Sequence, residues 1–132
     1  MDNLKKLIDD LDWNKPIEIQ EKAIKNLENI LEKDLCKLIQ PKSKYCWENA
    51  AKVINIIGYP KIKPIIPDLF EWLKDLNWPG AVIIVNTLKN IESDEINEFI
   101  KEALIKAELE NDELWKSGII VTGRLLGLGR LS

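Results

Sequence analysis

The chain has 132 residues, 45% of them hydrophobic and 31% charged, a formal net charge of −3 and no histidine. That length fits a single domain, 1–132, whose core needs no disulfide or metal staple. The composition excludes disordered and membrane-spanning classes, because no apolar run approaches the ~20 residues a bilayer requires. The commonest general base and metal ligand is missing, so catalytic, cofactor-binding and metal sites are each expected to be none.

The first predicted helix carries Leu4, Leu7, Ile8 and Leu11. Its acidic, amphipathic start has no apolar stretch of the signal-peptide kind, so a cytoplasmic setting is expected. A second helix is predicted from about Pro16 to Leu31, with Ile17, Ile24, Leu27, Ile30 and Leu31 inward and Glu18, Glu21, Lys22, Lys25 and Glu28 outward. A brief helix around Leu35-Leu38-Ile39 stops at Pro41. Ser43 then caps a helix that buries Trp47, Ala50, Ala51, Ile54 and Ile57 and ends at Gly58. Cys36 and Cys46 sit beside apolar neighbours and read as small buried hydrophobes.

After the proline-rich link from Tyr59 to Pro64, a helix places Ile65, Ile66, Leu69, Phe70, Leu73 and Leu76 on one arc, with Trp72 at its exposed edge. Asn77-Trp78-Pro79 predicts a cap and first turn, and the run Ala81 to Val85 reads as a helix buried on several sides. A long helix opens at Ser93 with the stripe Ile96, Phe99, Ile100, Ala103, Leu104 and Ala107. Asn111-Asp112 then caps a last helix whose glycines, Gly118 and Gly123, imply close helix contact.

Four tryptophans, Trp13, Trp47, Trp78 and Trp115, stand 34, 31 and 37 residues apart. Each is followed three residues later by Pro16, Ala50, Ala81 or Gly118, and six later by Ile19, Val53, Ile84 or Val121. A period in the thirties with two helices per unit predicts an all-α fold, a short HEAT-like solenoid of about four helical hairpins. The tryptophans are then packing anchors between layers.

The stretch Trp72-Leu73-Lys74-Asp75-Leu76-Asn77-Trp78-Pro79-Gly80-Ala81 resembles the hallmark of a bacterial family known only as domain of unknown function 5071. Cys46-Trp47-Glu48-Asn49-Ala50-Ala51 upstream and Asn111-Asp112-Glu113-Leu114-Trp115 downstream extend the resemblance from about Leu38 to Trp115. It implies a HEAT-type helical fold and carries over no activity, substrate or functional residue.

Charge is unevenly distributed. Residues 35–67 hold six lysines against Glu48 alone, whereas residues 92–113 hold nine acids against Lys101 and Lys106. The acidic stretch makes Glu95, Glu98, Glu102, Glu110, Asp112 and Glu113 candidate protein-binding residues, and the partner they suit is another protein, of basic character. The corresponding function is a non-enzymatic protein-binding module, such as a bacterial adaptor or toxin-neutralising protein. An alternative is a carboxylate-based enzyme or small-ligand binder with a groove at Glu71, Trp72 and Asp75. A third is a nucleic-acid binder through Lys42, Lys44, Lys61 and Lys63; two arginines in the whole chain speak against it.

Overall fold

A computed structural model describes residues 2–127. They form seven α-helices: α1 (Asp2–Asp9), α2 (Ile17–Leu27), α3 (Trp47–Ile57), α4 (Ile66–Trp72), α5 (Ala81–Leu88), α6 (Ser93–Leu109) and α7 (Glu113–Leu125). Three 3-10 stretches, Glu32–Leu38, Lys44–Cys46 and Lys63–Ile65, stand between them, and no strand occurs among the described residues. The all-α expectation is met, including at the β-branched run 82–85, which lies in α5. The tail residues Leu128 and Leu131 lie outside the described residues.

Helices neighbouring in sequence pack on one another: α1 on α2, α2 on α3, and α6 on α7. Two longer-range pairs, α3 with α5 and α4 with α6, close the core around Trp72, Trp115, Phe70, Ile66 and Leu69. α6 buries Ile96, Ile100, Ala103 and Ala107, the helical stripe its sequence predicts. Asp112 caps α7 by accepting the Trp115 backbone N–H at 3.0 Å, and Ser43 accepts that of Tyr45 at 3.3 Å. α3 stops at Gly58, whose φ of 70° is left-handed.

Several local expectations fail for identifiable reasons. α2 ends at Leu27 and buries Gln20, Ala23 and Leu27; Ile17 and Leu31 are exposed, because the turn at Glu28-Asn29 takes Leu31 out of the helix and Ile17 sits on the flank of the buried stripe. Asn77 does not cap α5. Its N–H bonds to Asp75 Oδ1 at 2.8 Å in a local turn, and the helix starts only after Gly80, at φ 85°. In α5, by contrast, only Val82 and Asn86 are exposed, four apart on one line, and Ala81, Ile84, Val85, Thr87 and Leu88 are buried, so the helix is covered on several sides as expected. Cys36 is exposed; only Cys46 behaves as a buried hydrophobe.

The four repeating tryptophans do not share one setting. Trp47 opens α3 and Trp78 precedes α5 by three residues, and the residues six further on, Val53 and Ile84, are both buried. Trp13 lies before α2 and is 44% exposed, Trp115 lies inside α7, and their partners Ile19 and Val121 are exposed. The two middle units match each other, and the outer two depart from them.

Candidate functional site

The hallmark stretch around Trp78 is explained by packing. Trp72 has no accessible surface, and its Nε1 donates to the Pro79 carbonyl at 2.9 Å. Trp47 meets Trp72 edge-on at 5.9 Å and Trp78 at 5.5 Å between ring centroids, and its own Nε1 donates to the Pro41 carbonyl at 2.6 Å. An indole N–H taken out of water usually finds an acceptor, and those of the buried Trp72 and the half-buried Trp47 both do. Gly80 closes the group: its N–H donates to Glu48 Oε1 at 3.0 Å, and a Cβ there would lie 2.9 Å from both the Ala51 Cβ and the Trp47 carbonyl oxygen. Trp-Pro-Gly and Cys-Trp-Glu-Asn-Ala-Ala are therefore two halves of one packed joint.

Trp72 was expected at an exposed edge and is wholly interior, because α4 ends at Trp72 and the turn through Trp78 and Pro79 folds over it. An indole with no accessible surface cannot stack a ligand, so the predicted groove loses its aromatic wall. Its carboxylates have separate employment. Glu71 pairs with Lys106 of α6 at 2.8 Å and holds the lysine's pKa above its ordinary value, whereas Asp75 is exposed and bonds within its own turn.

The acidic candidates divide into two sets. Glu95, Glu98 and Glu102 are all exposed on α6 and recur at i, i+3 and i+7, which puts them on one face. Glu95 accepts a hydrogen bond from the Tyr59 hydroxyl, and Glu98 lies 3.9 Å from Lys101. Glu110, Asp112 and Glu113 belong to the turn into α7. Asp112 serves as the cap and approaches Lys74 at 3.8 Å, which ties it to the fold.

Sequence reasoning missed what continues the α6 stripe. Residues 98, 102, 105 and 109 follow i, i+4, i+7 and i+11, so Glu98, Glu102, Ile105 and Leu109 lie along one solvent-facing line. Ile105 is 61% exposed and Leu109 79%. Beside them Leu104 and Ile120 of α7 complete a shallow groove of 560 Å³, bordered by Lys101, Glu108 and Lys116. Lys116 and Glu108 pair across it at 3.0 Å, and that contact raises the pKa of Lys116. The signal was present: α6 has more apolar residues than its buried stripe uses, and the surplus falls on the opposite arc.

The candidate lysines have different immediate surroundings, and Lys63 starts the 3-10 stretch Lys63–Ile65. Lys42 lines a groove beside α1, Lys44 lies over the Trp47 and Trp78 rings at 5.5 and 5.7 Å, and Lys61 lines a cleft that also contains Glu28 and Glu32. Among the described residues no group of three or more His, Cys, Asp or Glu side chains could hold a metal ion, and no helix is long and apolar enough to cross a membrane.

These features define an all-helical protein whose signature residues build a packed indole joint. The family model described as Domain of unknown function (DUF5071) matches residues 38–123, from the end of the first 3-10 stretch into α7, and the chain belongs to that family. No curated protein and no solved structure matches it.

Proposed function

We propose that the chain is a non-enzymatic protein-binding module, a short HEAT-like array of helical hairpins whose α6–α7 face receives a basic amphipathic helix of a partner protein. The hairpin array is supported by the packing of α2 on α3 and α3 on α5, with α1 and α7 each paired to its sequence neighbour. The observation that carries the binding function is the α6 stripe, acidic at Glu98 and Glu102 and apolar at Ile105 and Leu109, running into the groove with Ile120. Exposed apolar surface rimmed by charge is characteristic of helix-in-groove recognition; the groove's own rim carries Lys101 and Lys116 against Glu108, and it is Glu98 and Glu102, further along the same line of α6, that favour basic residues on the partner. A bacterial adaptor or a toxin-neutralising protein working in the cytoplasm fits this chemistry.

The test is affinity capture from the native host at stepped salt, with the unmodified chain, Ile105→Asp/Leu109→Asp and Glu98→Lys/Glu102→Lys. All four residues are exposed, so both variants are expected to keep their helical circular dichroism. The expected result is a retained protein that is released as salt rises and is lost with either variant. Retention unaffected by both variants, or no retention even at low salt, overturns the proposal.

A further inference from the structure

A second groove, of 760 Å³, lies between α1 and the segment from Cys36 to Cys46. Leu4 and Ile8, one helical turn apart on α1, face Ile39 and Pro41 across it. Its charge is one-sided: Lys5, Lys37 and Lys42 line it against the single acid Asp9. Lys37 is engaged with Asp34 at 3.5 Å; among the described residues neither Lys5 nor Lys42 has an ion-pair partner. One wall is fixed by the fold. Gln40 is held at φ 41°, in the left-handed region that side chains other than Gly and Asn rarely adopt, and the next carbonyl, of Pro41, is anchored by the Trp47 indole.

We propose that this groove binds a carboxylate-headed acyl chain, a medium-chain fatty acid, with the chain along Leu4, Ile8, Ile39 and Pro41 and the headgroup at Lys5 and Lys42. The volume lies in the range of clefts that hold small ligands, about 300–1,000 Å³. An apolar floor attracts a hydrocarbon chain in proportion to the area it hides, and two lysines without ion-pair partners among the described residues select an anionic end over a neutral one. The site is independent of the α6–α7 face, and α1, which forms half of it, precedes the family-matched residues.

The groove carries its own probe. Cys36 is an exposed thiol on its wall, whereas Cys46 is buried and its thiol is pushed up in pKa, first by burial and then by Asp12 and Asp9. Alkylation of Cys36 by iodoacetamide, followed by mass spectrometry, is measured with monomeric sodium decanoate, with decanol, with inorganic phosphate and with an acidic amphipathic peptide. Decanoate is expected to slow Cys36 alkylation in a saturable way, and phosphate alone to leave it unchanged. Lys5→Gln/Lys42→Gln, which alters only exposed side chains, is expected to weaken decanoate about tenfold while decanol protects equally in both proteins. Equal protection by decanoate and decanol in the unmodified chain, decanoate protection unchanged in the double variant, protection by the peptide without protection by decanoate, or no protection at all would overturn the assignment.

Discussion

The N-terminal part, residues 2–37, and the family-matched body, residues 38–123, share one apolar core and differ in what anchors them to it. The body closes on indoles: Trp72 and Trp115 are buried, with their N–H groups on the carbonyls of Pro79 and Phe70, and Trp47 and Trp78 pack against them or their neighbours. The N-terminal part has the exposed Trp13 in the corresponding place; its Leu11, Ala23, Leu27 and Leu35 join the same apolar core, and its seam with α3 is fixed by polar groups. Asn49 of α3, itself buried, donates to the Leu11 carbonyl at 2.7 Å and to Gln20 Oε1 at 2.9 Å. Gln20 in turn donates to the carbonyls of Trp13 and Lys15. A satisfied polar network fixes one relative position of two layers, whereas apolar area mainly supplies stability. The indole joint is thus particular to the body, and the polar junction specifies where α1 and α2 sit on a core that both parts share.

That contrast breaks first, and with the largest effect, at Trp72. Trp72→Ala removes a fully buried indole and leaves the Pro79 carbonyl without its donor, so a loss of about 3–5 kcal/mol is expected in urea unfolding. A loss below about 1 kcal/mol would mean that the joint is not the core of the body. Gly118→Ala comes next. The added Cβ would stand 2.6 Å from the Leu73 carbonyl oxygen, which is backbone and cannot swing away, and overpacking of this kind costs about 1–3 kcal/mol. Asn49→Ala probes the junction. It strands the Leu11 carbonyl and Gln20 in a buried site, at about 1–3 kcal/mol, and hydrogen exchange should show faster opening in α1 and α2 than in α5. Uniform acceleration across the chain would erase the distinction between the two parts.

How far the sequence could be read follows the same division. α6 and α7 were legible because periodicity, the Asp112 cap and the close approach at Gly118 are all local or strongly patterned. The packing role of the tryptophans was legible for Trp47, Trp78 and Trp115, each of which follows a polar or breaker segment and precedes an apolar helical pattern. Trp13 was misjudged because its place in a spaced series said nothing of whether a layer lies outside it. Trp72 was misjudged in the other sense. Its burial depends on the 75–80 turn folding back over the end of α4, an irregular turn that no helical period encodes. Gln20 and Asn49, 29 residues apart, read individually as ordinary polar surface positions; only their pairing makes them interior. The α6 line of Glu98, Glu102, Ile105 and Leu109 could have been found by counting apolar residues against the width of one buried stripe.

The two smallest effects sharpen the contrast at the N-terminal end. Asp10, nearly buried, accepts from Lys15 at 2.8 Å and Lys6 at 2.9 Å, and these bonds, Lys15 first, hold its carboxyl below the usual carboxylate range. A carboxyl with a depressed folded pKa adds stability that is complete above its unfolded pKa of about 3.9 and disappears as pH falls through the folded value. In Asp10→Asn that contribution is absent at every pH. The difference in Tm between the unmodified chain and the variant is therefore expected to be constant near neutrality and to shrink as pH falls below about 4. A difference that does not change with pH would show that Asp10 is not held as a charged group.

Trp13→Ala closes the series at the bottom. The ring is 44% exposed and meets only the exposed Tyr45 among aromatic rings, tilted at 6.1 Å, while its backbone keeps the bonds that matter. Its N–H donates to the Tyr45 carbonyl, and its own carbonyl accepts from Gln20, neither of which needs an indole. A loss within about 0.5 kcal/mol is expected, as for surface positions generally. Trp72→Ala and Trp13→Ala remove the same side chain, so their difference isolates the setting. If Trp13→Ala cost as much as Trp72→Ala, the indole at the N-terminal end would be a structural anchor after all, and the division of labour between junction and body would have to be abandoned.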